Sequence, residues 1–304
     1  MAELTLKQVS AAVGGRLEAG AGTLPIHHYL FDTRDLAHPH SLFFALKSER
    51  ANGHSFLEQM RRQPGCAAVV ARDARISGDL PRVRVDDPLE AAHRLTAWVR
   101  SQWGRVRFAG VTGSAGKTTT KEFLYQLLSA RFHAFRSLRN WNNWIGLPFS
   151  MLQMKGDEDA AVFELAMSNP GIGEISRLAK LLRPDTAVIL NALPVHLEYL
   201  GTVANVAVAK GEILEFLEAD GCAVVNGDCR VLDPILDRFS GRILRFGRDA
   251  ERNDVVLDQV ERFENDTILM GTGSGISHGN RSGCPGGKPF CRHGDRASDG
   301  PEAR

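Results

Sequence analysis

The ten residues Val111-Thr-Gly-Ser-Ala-Gly-Lys-Thr-Thr-Thr have the types and spacing for phosphate chemistry. They follow the apolar run Val106-Arg-Phe-Ala-Gly-Val and precede a helical stretch over 118–132. Gly113 and Gly116 let the backbone curl, so the N–H groups of Ser114 and Ala115 and those opening the helix, through Thr119, can face an anion. Lys117 can reach β- and γ-phosphates, and the Thr118 hydroxyl can ligate Mg²⁺. The strict G-x-x-x-x-G-K-[ST] pattern fails, because Val111 stands where its first glycine belongs. The competing reading is a glycine turn with a surface lysine. The strand before and the helix after favour the phosphate loop, though such a loop does not by itself name a reaction.

Two further residues stand out. Glu164 closes the apolar run over 160–163, which puts a carboxylate at the C-terminal end of a strand, where α/β sheets bind ligands; the competing reading is a solvated strand-end glutamate. Lys210 falls in the middle of a helical stripe capped by Thr202 and made of Val203, Val206, Ile213, Leu214 and Leu217. An unpaired buried ammonium is costly, so the lysine either snorkels to solvent or has a special partner.

The surrounding elements read as α/β. Thr5 caps a short helix with Leu6, Val9, Ala12 and Val13 on one side, and Gly14-Gly15 stops it. Strand signals follow at residues 41–46, Ala67–Ala71 and Arg82–Val85, then a helix over 91–103 with Ala92, Leu95, Val99 and Trp103 on one face. A boundary is expected near 103–106. Beyond it, strands at 106–111, 160–165, 186–190 and 222–225 alternate with helices, which implies a mostly parallel sheet covered on both faces. From Gly271 the chain turns glycine-rich and loses periodicity, so residues 271–304 are expected to be an unstructured tail.

The 304-residue chain has 43% hydrophobic and 24% charged residues and a formal net charge of +1. That balance suits a globular protein with a real core and gives no reason to expect nucleic acid as a partner. Five scattered cysteines read as reduced thiols. The N-terminus lacks signal-peptide character, and no apolar run approaches the roughly 20 residues of a membrane helix. A cytoplasmic protein without membrane insertion is the expectation. Cys284, Cys291, His278 and His293 are too widely spaced for a zinc knuckle.

In order along the chain, several segments resemble one family. Thr112-Gly-Ser-Ala-Gly-Lys-Thr-Thr resembles the T-G-x-x-G-K-T-[ST] loop of Mur ligases and folylpolyglutamate synthases. Asn140-Trp-Asn-Asn-Trp-Ile-Gly-Leu-Pro resembles the N-x-N-N-x-I-G-x-P segment of one Mur branch, the UDP-N-acetylmuramoyl-tripeptide–D-alanyl-D-alanine ligases. Phe163-Glu-Leu-Ala-Met-Ser, Asn191-Ala-Leu-Pro-Val-His-Leu-Glu and Ala209-Lys-Gly-Glu-Ile resemble its E-L-G-M-S, N-x-x-x-A-H-L-E and A-K-x-E-I segments. Asp32-Thr-Arg, Leu42-Phe-Phe-Ala-Leu-Lys and Gly53-His-Ser-Phe resemble pieces that help hold a uridine nucleotide. The likeness covers about residues 1–270. The chain departs from the pattern in a longer linker after Arg34, in Ser48 for glycine, in the longer Gly171-Ile-Gly-Glu, and in Leu190 for threonine.

The resemblance implies a small N-terminal α/β domain, residues 1–103, that binds a UDP-sugar, with Thr33 and Arg34 on the nucleotide. A P-loop domain, residues 104–270, would bind ATP through Gly113, Ser114, Ala115, Gly116, Lys117, Thr118 and Thr119, with Asn142 and Asn143 on phosphates unless they merely form a turn. ATP would phosphorylate the carboxylate of UDP-MurNAc-tripeptide, and D-alanyl-D-alanine would attack the acyl phosphate. Two Mg²⁺ ions are implied, held by Thr118, Glu164, His196 and Lys210, the last as a carbamate. Lys117, Glu164, His196 and Lys210 are the implied catalytic set, and a monomer is expected. The tail reads as aberrant, an out-of-frame or premature end. Without the third domain of this family, nucleotide binding with little amide product is expected. The rivals are another Mur ligase, a folylpolyglutamate synthase, against which the motifs at 32–34 and 42–47 argue, and a non-catalytic nucleotide-binding protein.

Overall fold

The computed structural model describes residues 4–20, 22–35, 38–48, 51–167, 171–262 and 267–273. The first helix is Leu6–Val13. Thr5 and Gln8 form a reciprocal capping box at its start, and Gly14 ends it in a left-handed conformation. Leu6, Val9 and Val13 point into the core.

Beyond this helix lies a five-stranded sheet in the order Arg16–Glu18, Arg82–Val85, Ala67–Ala71, Ser41–Phe44, His28–Leu30. Only its first pair is antiparallel. The expected helix over 91–103 runs instead as Pro88–Arg100. Asp87 accepts hydrogen bonds from the Leu89 and Glu90 amides, and Pro88 takes the first turn, where a missing N–H costs nothing. Trp103 is buried beyond the helix end.

The eight-stranded sheet has the order Thr267–Gly273, Val255–Arg262, Arg242–Gly247, Cys222–Asn226, Thr186–Ile189, Arg107–Thr112, Ala160–Glu164, Ala134–Arg136. All its pairs are parallel except Val255–Arg262 with Thr267–Gly273. The fold is thus mixed α/β with a mostly parallel sheet, as the alternation of elements implies. Arg107–Thr112 is central, and the chain leaves it to build strands on both sides. That puts a topological switch point at its C-terminal end, where such sheets bind ligands.

Apolar packing is continuous between the two sheets. Leu95 and Val99 on Pro88–Arg100 share a buried cluster with Leu147 and Phe149, and with Leu178 and Leu182. The Arg100 side chain donates to the carbonyls of Leu182 and Arg183.

The structure corrects two other expectations. Ladder pairing carries the last strand to Gly273, into the segment read as unstructured, because backbone groups alone suffice to pair with Val255–Arg262. The rest of that segment, with Cys284, Cys291, His278 and His293, lies outside the described residues. The single helix expected after Thr202 is split. Val203–Gly211 is α-helical, and Glu212–Phe216 tightens to 3₁₀ where Glu212 reaches across to the amides of Gly173 and Ser176. Cys66, Cys222 and Cys229 are free thiols. No helix among the described residues is long and apolar enough to cross a membrane.

Candidate active site

The helix Lys117–Ser129 begins directly from the glycine loop, with Gly116 at its N-cap in a left-handed conformation and no side chain capping it. The first amides of a helix have no intrahelical acceptor, so this end is open to an anion. At Gly113 a Cβ would stand 3.0 Å from the Leu190 Cβ, so a side chain there would force its neighbour to give way. The Lys117 ammonium donates to the carbonyls of Gly113 (2.9 Å) and Ser114 (3.3 Å), curled over the loop. Those bonds are to neutral acceptors, which phosphate oxygens would outcompete.

Glu164 is the last residue of Ala160–Glu164 and registers opposite Val111, the start of the loop motif. It is only 4% exposed, which removes the solvated-strand-end alternative. The Thr118 hydroxyl donates to its Oε2 at 2.7 Å, and Asn142 Nδ2 donates to its Oε1 at 2.9 Å. The Ser137 hydroxyl accepts from the Glu164 amide, and the Ser137 carbonyl accepts from the ammonium of fully buried Lys121. Thr118, Asn142 and Glu164 therefore form one polar contact at the loop mouth. Asn143 differs: its Oδ1 accepts from the amides of Ile145 and Gly146, the turn that competes with a phosphate contact.

Lys210 is 2% exposed, so it does not snorkel. Burial pushes its pKa from 10.5 down to about 8, and the Lys117 charge pushes the same way, while Glu174 and Glu212 oppose. Lys210 thus feels the phosphate loop directly, although 93 positions separate it from Lys117 in the sequence. Glu212 is buried and shifts upward for the same reason. His196 sits in a left-handed conformation at the start of Leu197–Leu200, with its side chain exposed. Among the described residues no three His, Cys, Asp or Glu side chains converge closely enough to hold a metal ion. Oxygen donors from Thr118 and Glu164 are nonetheless the kind Mg²⁺ takes when phosphates complete its shell.

The Thr33–Asp35 turn holds Thr33 and Arg34, and the Arg34 guanidinium pairs with Asp32. Phe31, just before the turn, packs against Trp141 (5.3 Å) and Phe149 (4.6 Å), which ties the turn to the segment bearing Asn142. Gly53 is a glycine for a steric reason, since a Cβ would stand 2.7 Å from the Leu46 carbonyl oxygen. His54 bridges Asn52 and the Ala71 amide, which donates to Nε2 at 3.0 Å, and burial lowers its pKa.

Sequence reasoning assigned no role to Lys121, Ser137, Glu212 or His93. Lys121 lies one helical turn after Lys117, a spacing that could have drawn notice. His93 gave no signal. Its imidazole stacks on Trp144 at 3.6 Å, the Arg177 guanidinium lies 5.9 Å from the Trp144 ring, and the layers pin the segment carrying Asn142 and Asn143.

The sequence matches the Mur ligase middle domain over residues 111–287. It is 38% identical over 228 residues to UDP-N-acetylmuramoyl-tripeptide–D-alanyl-D-alanine ligase of Escherichia coli K12, covering 75% of this chain and 49% of that protein. With the Bacillus subtilis enzyme of the same name it shares 36% identity over 272 residues, 88% of this chain and 57% of the other. The fold resembles crystal structure I of MurF from Acinetobacter baumannii, with a TM-score of 0.77 and 28% identity over 88% of this chain and 58% of that one. It also resembles the MurF ligase of Thermotoga maritima in complex with ADP, with a TM-score of 0.70 and 29% identity over 81% and 55%. The chain spans about half the length of the curated relatives it matches.

Proposed function

The chain belongs to the Mur ligase family, and on that premise we propose that it serves ATP-dependent amide formation in peptidoglycan precursor synthesis. In this reading the carboxylate of UDP-MurNAc-tripeptide takes the γ-phosphoryl group of ATP, leaving ADP. The amine of D-alanyl-D-alanine then attacks the carbonyl, orthophosphate departs, and the amine loses a proton. The observation that carries the reading is the meeting of an uncapped helix N-terminus and the Thr118–Glu164 contact at one end of the parallel sheet, with buried Lys210 within electrostatic reach of Lys117.

The roles follow from chemistry. Lys117 and the amides of Gly116, Thr118 and Thr119 neutralise and orient phosphates. Thr118 and Glu164 supply hard oxygen donors for Mg²⁺, whose charge would offset that of the triphosphate. Asn142 holds Glu164 in orientation through its 2.9 Å hydrogen bond. Lys210 suits carbamylation, because burial leaves a larger neutral-amine fraction at neutral pH than an ordinary lysine has, and the neutral amine attacks CO₂. As a carbamate it would join His196 at a second Mg²⁺. We assign Thr33 and Arg34 to the uridine nucleotide, residues 1–103 and 104–270 to two domains, and the working form to a cytoplasmic monomer.

Calorimetric titration with Mg-ATP tests the nucleotide site. ADP release that depends on both UDP-MurNAc-tripeptide and D-alanyl-D-alanine tests the ligation. Absence of Mg-ATP binding would overturn the whole reading. Binding without substrate-dependent ADP release, with all substrates present, would favour the nucleotide-binding rival.

A further inference from the structure

Asn191 makes four hydrogen bonds to the phosphate loop, and the reaction outlined above gives it no part. It follows Thr186–Ile189 by two residues and lies beside the loop. Its Oδ1 accepts from the amides of Ser114 (2.9 Å) and Ala115 (3.0 Å), and its Nδ2 donates to the Ala115 carbonyl (3.2 Å). The partners fix which way the carboxamide points, because only its oxygen can accept from two N–H groups. The backbone joins in, with the Ser114 amide also directed at the Asn191 carbonyl oxygen (3.1 Å). Two residues on, the Leu193 amide donates to the Ser114 hydroxyl (2.9 Å). The loop is therefore clamped to the segment that leads to His196.

This geometry changes what the loop can offer an anion. The amides of Ser114 and Ala115 point at a carboxamide oxygen, so the phosphates are left with the helix-opening amides and Lys117. A glycine loop free of this tie would sample many backbone conformations, and ordering it would cost binding free energy.

We propose that Asn191 is a positioning residue that holds the phosphate loop in its binding shape before nucleotide arrives and fixes it to the 191–196 segment. The proposal rests on the nucleotide reading above for its consequence, and on hydrogen bonds alone for its structural half. The carboxamide must be neutral: a carboxylate would keep both acceptor bonds but would lose the Ala115 bond and set a negative charge beside the phosphates.

The experiment compares the full chain with Asn191→Ala and Asn191→Asp. Hydrogen exchange of individual amides is read by NMR in nucleotide-free protein, Mg-ATP affinity by calorimetry, and Tm by calorimetric scan. Asn191→Ala should speed exchange at Ala115 at least about 10-fold, leave Ser114, which keeps its bond to the residue 191 carbonyl, and strand Arg107–Thr112 protected, and weaken Mg-ATP about 10-fold. Asn191→Asp should keep exchange at Ser114 and Ala115 slow yet bind Mg-ATP more weakly than Asn191→Ala, a split that a merely structural role would not produce. Wild-type exchange and affinity in Asn191→Ala would overturn the proposal, as would loosening spread evenly over all strands with a fall in Tm. Failure of wild type to bind Mg-ATP would sink the nucleotide reading, while the exchange data would still decide the clamp.

Discussion

His93 provides a sharp test of how burial sets pH dependence near the site. Its side chain is 6% exposed, and neither ring nitrogen makes a well-formed hydrogen bond, the approach to the Trp144 backbone being a weak one. Burial pushes its pKa from 6.5 to about 4, against smaller opposing effects from the Trp144 backbone and Asp87. Between those values the unfolded chain binds more protons than the folded one, so stability falls as pH drops from about 6.5 toward 4. At about 1.4 kcal/mol per pH unit the full effect is about 3 kcal/mol, of which about 2 kcal/mol is lost by about pH 5. For a chain of this length that corresponds to roughly 3 °C in Tm. His93→Phe keeps a planar ring on Trp144, sacrifices no well-formed hydrogen bond, and cannot be protonated. It should match or exceed wild type near neutral pH, because it also removes two polar atoms that lack a well-formed hydrogen bond. The assay is urea unfolding of both proteins from about pH 7.5 down to pH 4.5, with the difference between them as the signal. If that difference stays constant across the range, the argument from burial is wrong.

Four other outcomes follow from the same geometry. Lys117→Ala should weaken Mg-ATP by roughly 10- to 100-fold, the worth of charge-assisted bonds to phosphate, and unchanged calorimetric affinity would contradict its role. Lys210→Ala should abolish ligation and regain part of it with short carboxylic acids. Because the folded pKa of the unmodified amine lies near 8, below its ordinary 10.5, stability should climb as pH rises between those values. Lys210→Met should lack that rise, as denaturation curves across the window will reveal. Gly53→Ala should cost about 1–3 kcal/mol, because its Cβ would collide with the backbone at Ala45 and Leu46, and a Tm equal to wild type would refute this.

Local interactions made much of this molecule legible in its sequence. The capping box at Thr5, the stop at Gly14, the strands Ala67–Ala71 and Arg82–Val85, and the strand–loop–helix unit at 106–132 depend on neighbours within a few residues. Strands such as Arg16–Glu18, Ala134–Arg136 and Arg242–Gly247 gave no signal. They are short or half-buried, and their pairing partners, not their own pattern, make them strands. The stripe around Lys210 left open whether it snorkels to solvent; only the fold buries it and brings it within electrostatic reach of Lys117. Sequence could put Glu164 at a strand end; it could not say that Thr118 and Asn142 would each take one of its oxygens. The same holds for Asn191, whose two loop amides come to it only because Thr186–Ile189 and Arg107–Thr112 are hydrogen-bonded neighbours. Periodicity and caps are properties of contiguous residues, whereas a site built across adjacent parallel strands exists only once the crossovers have brought distant segments together.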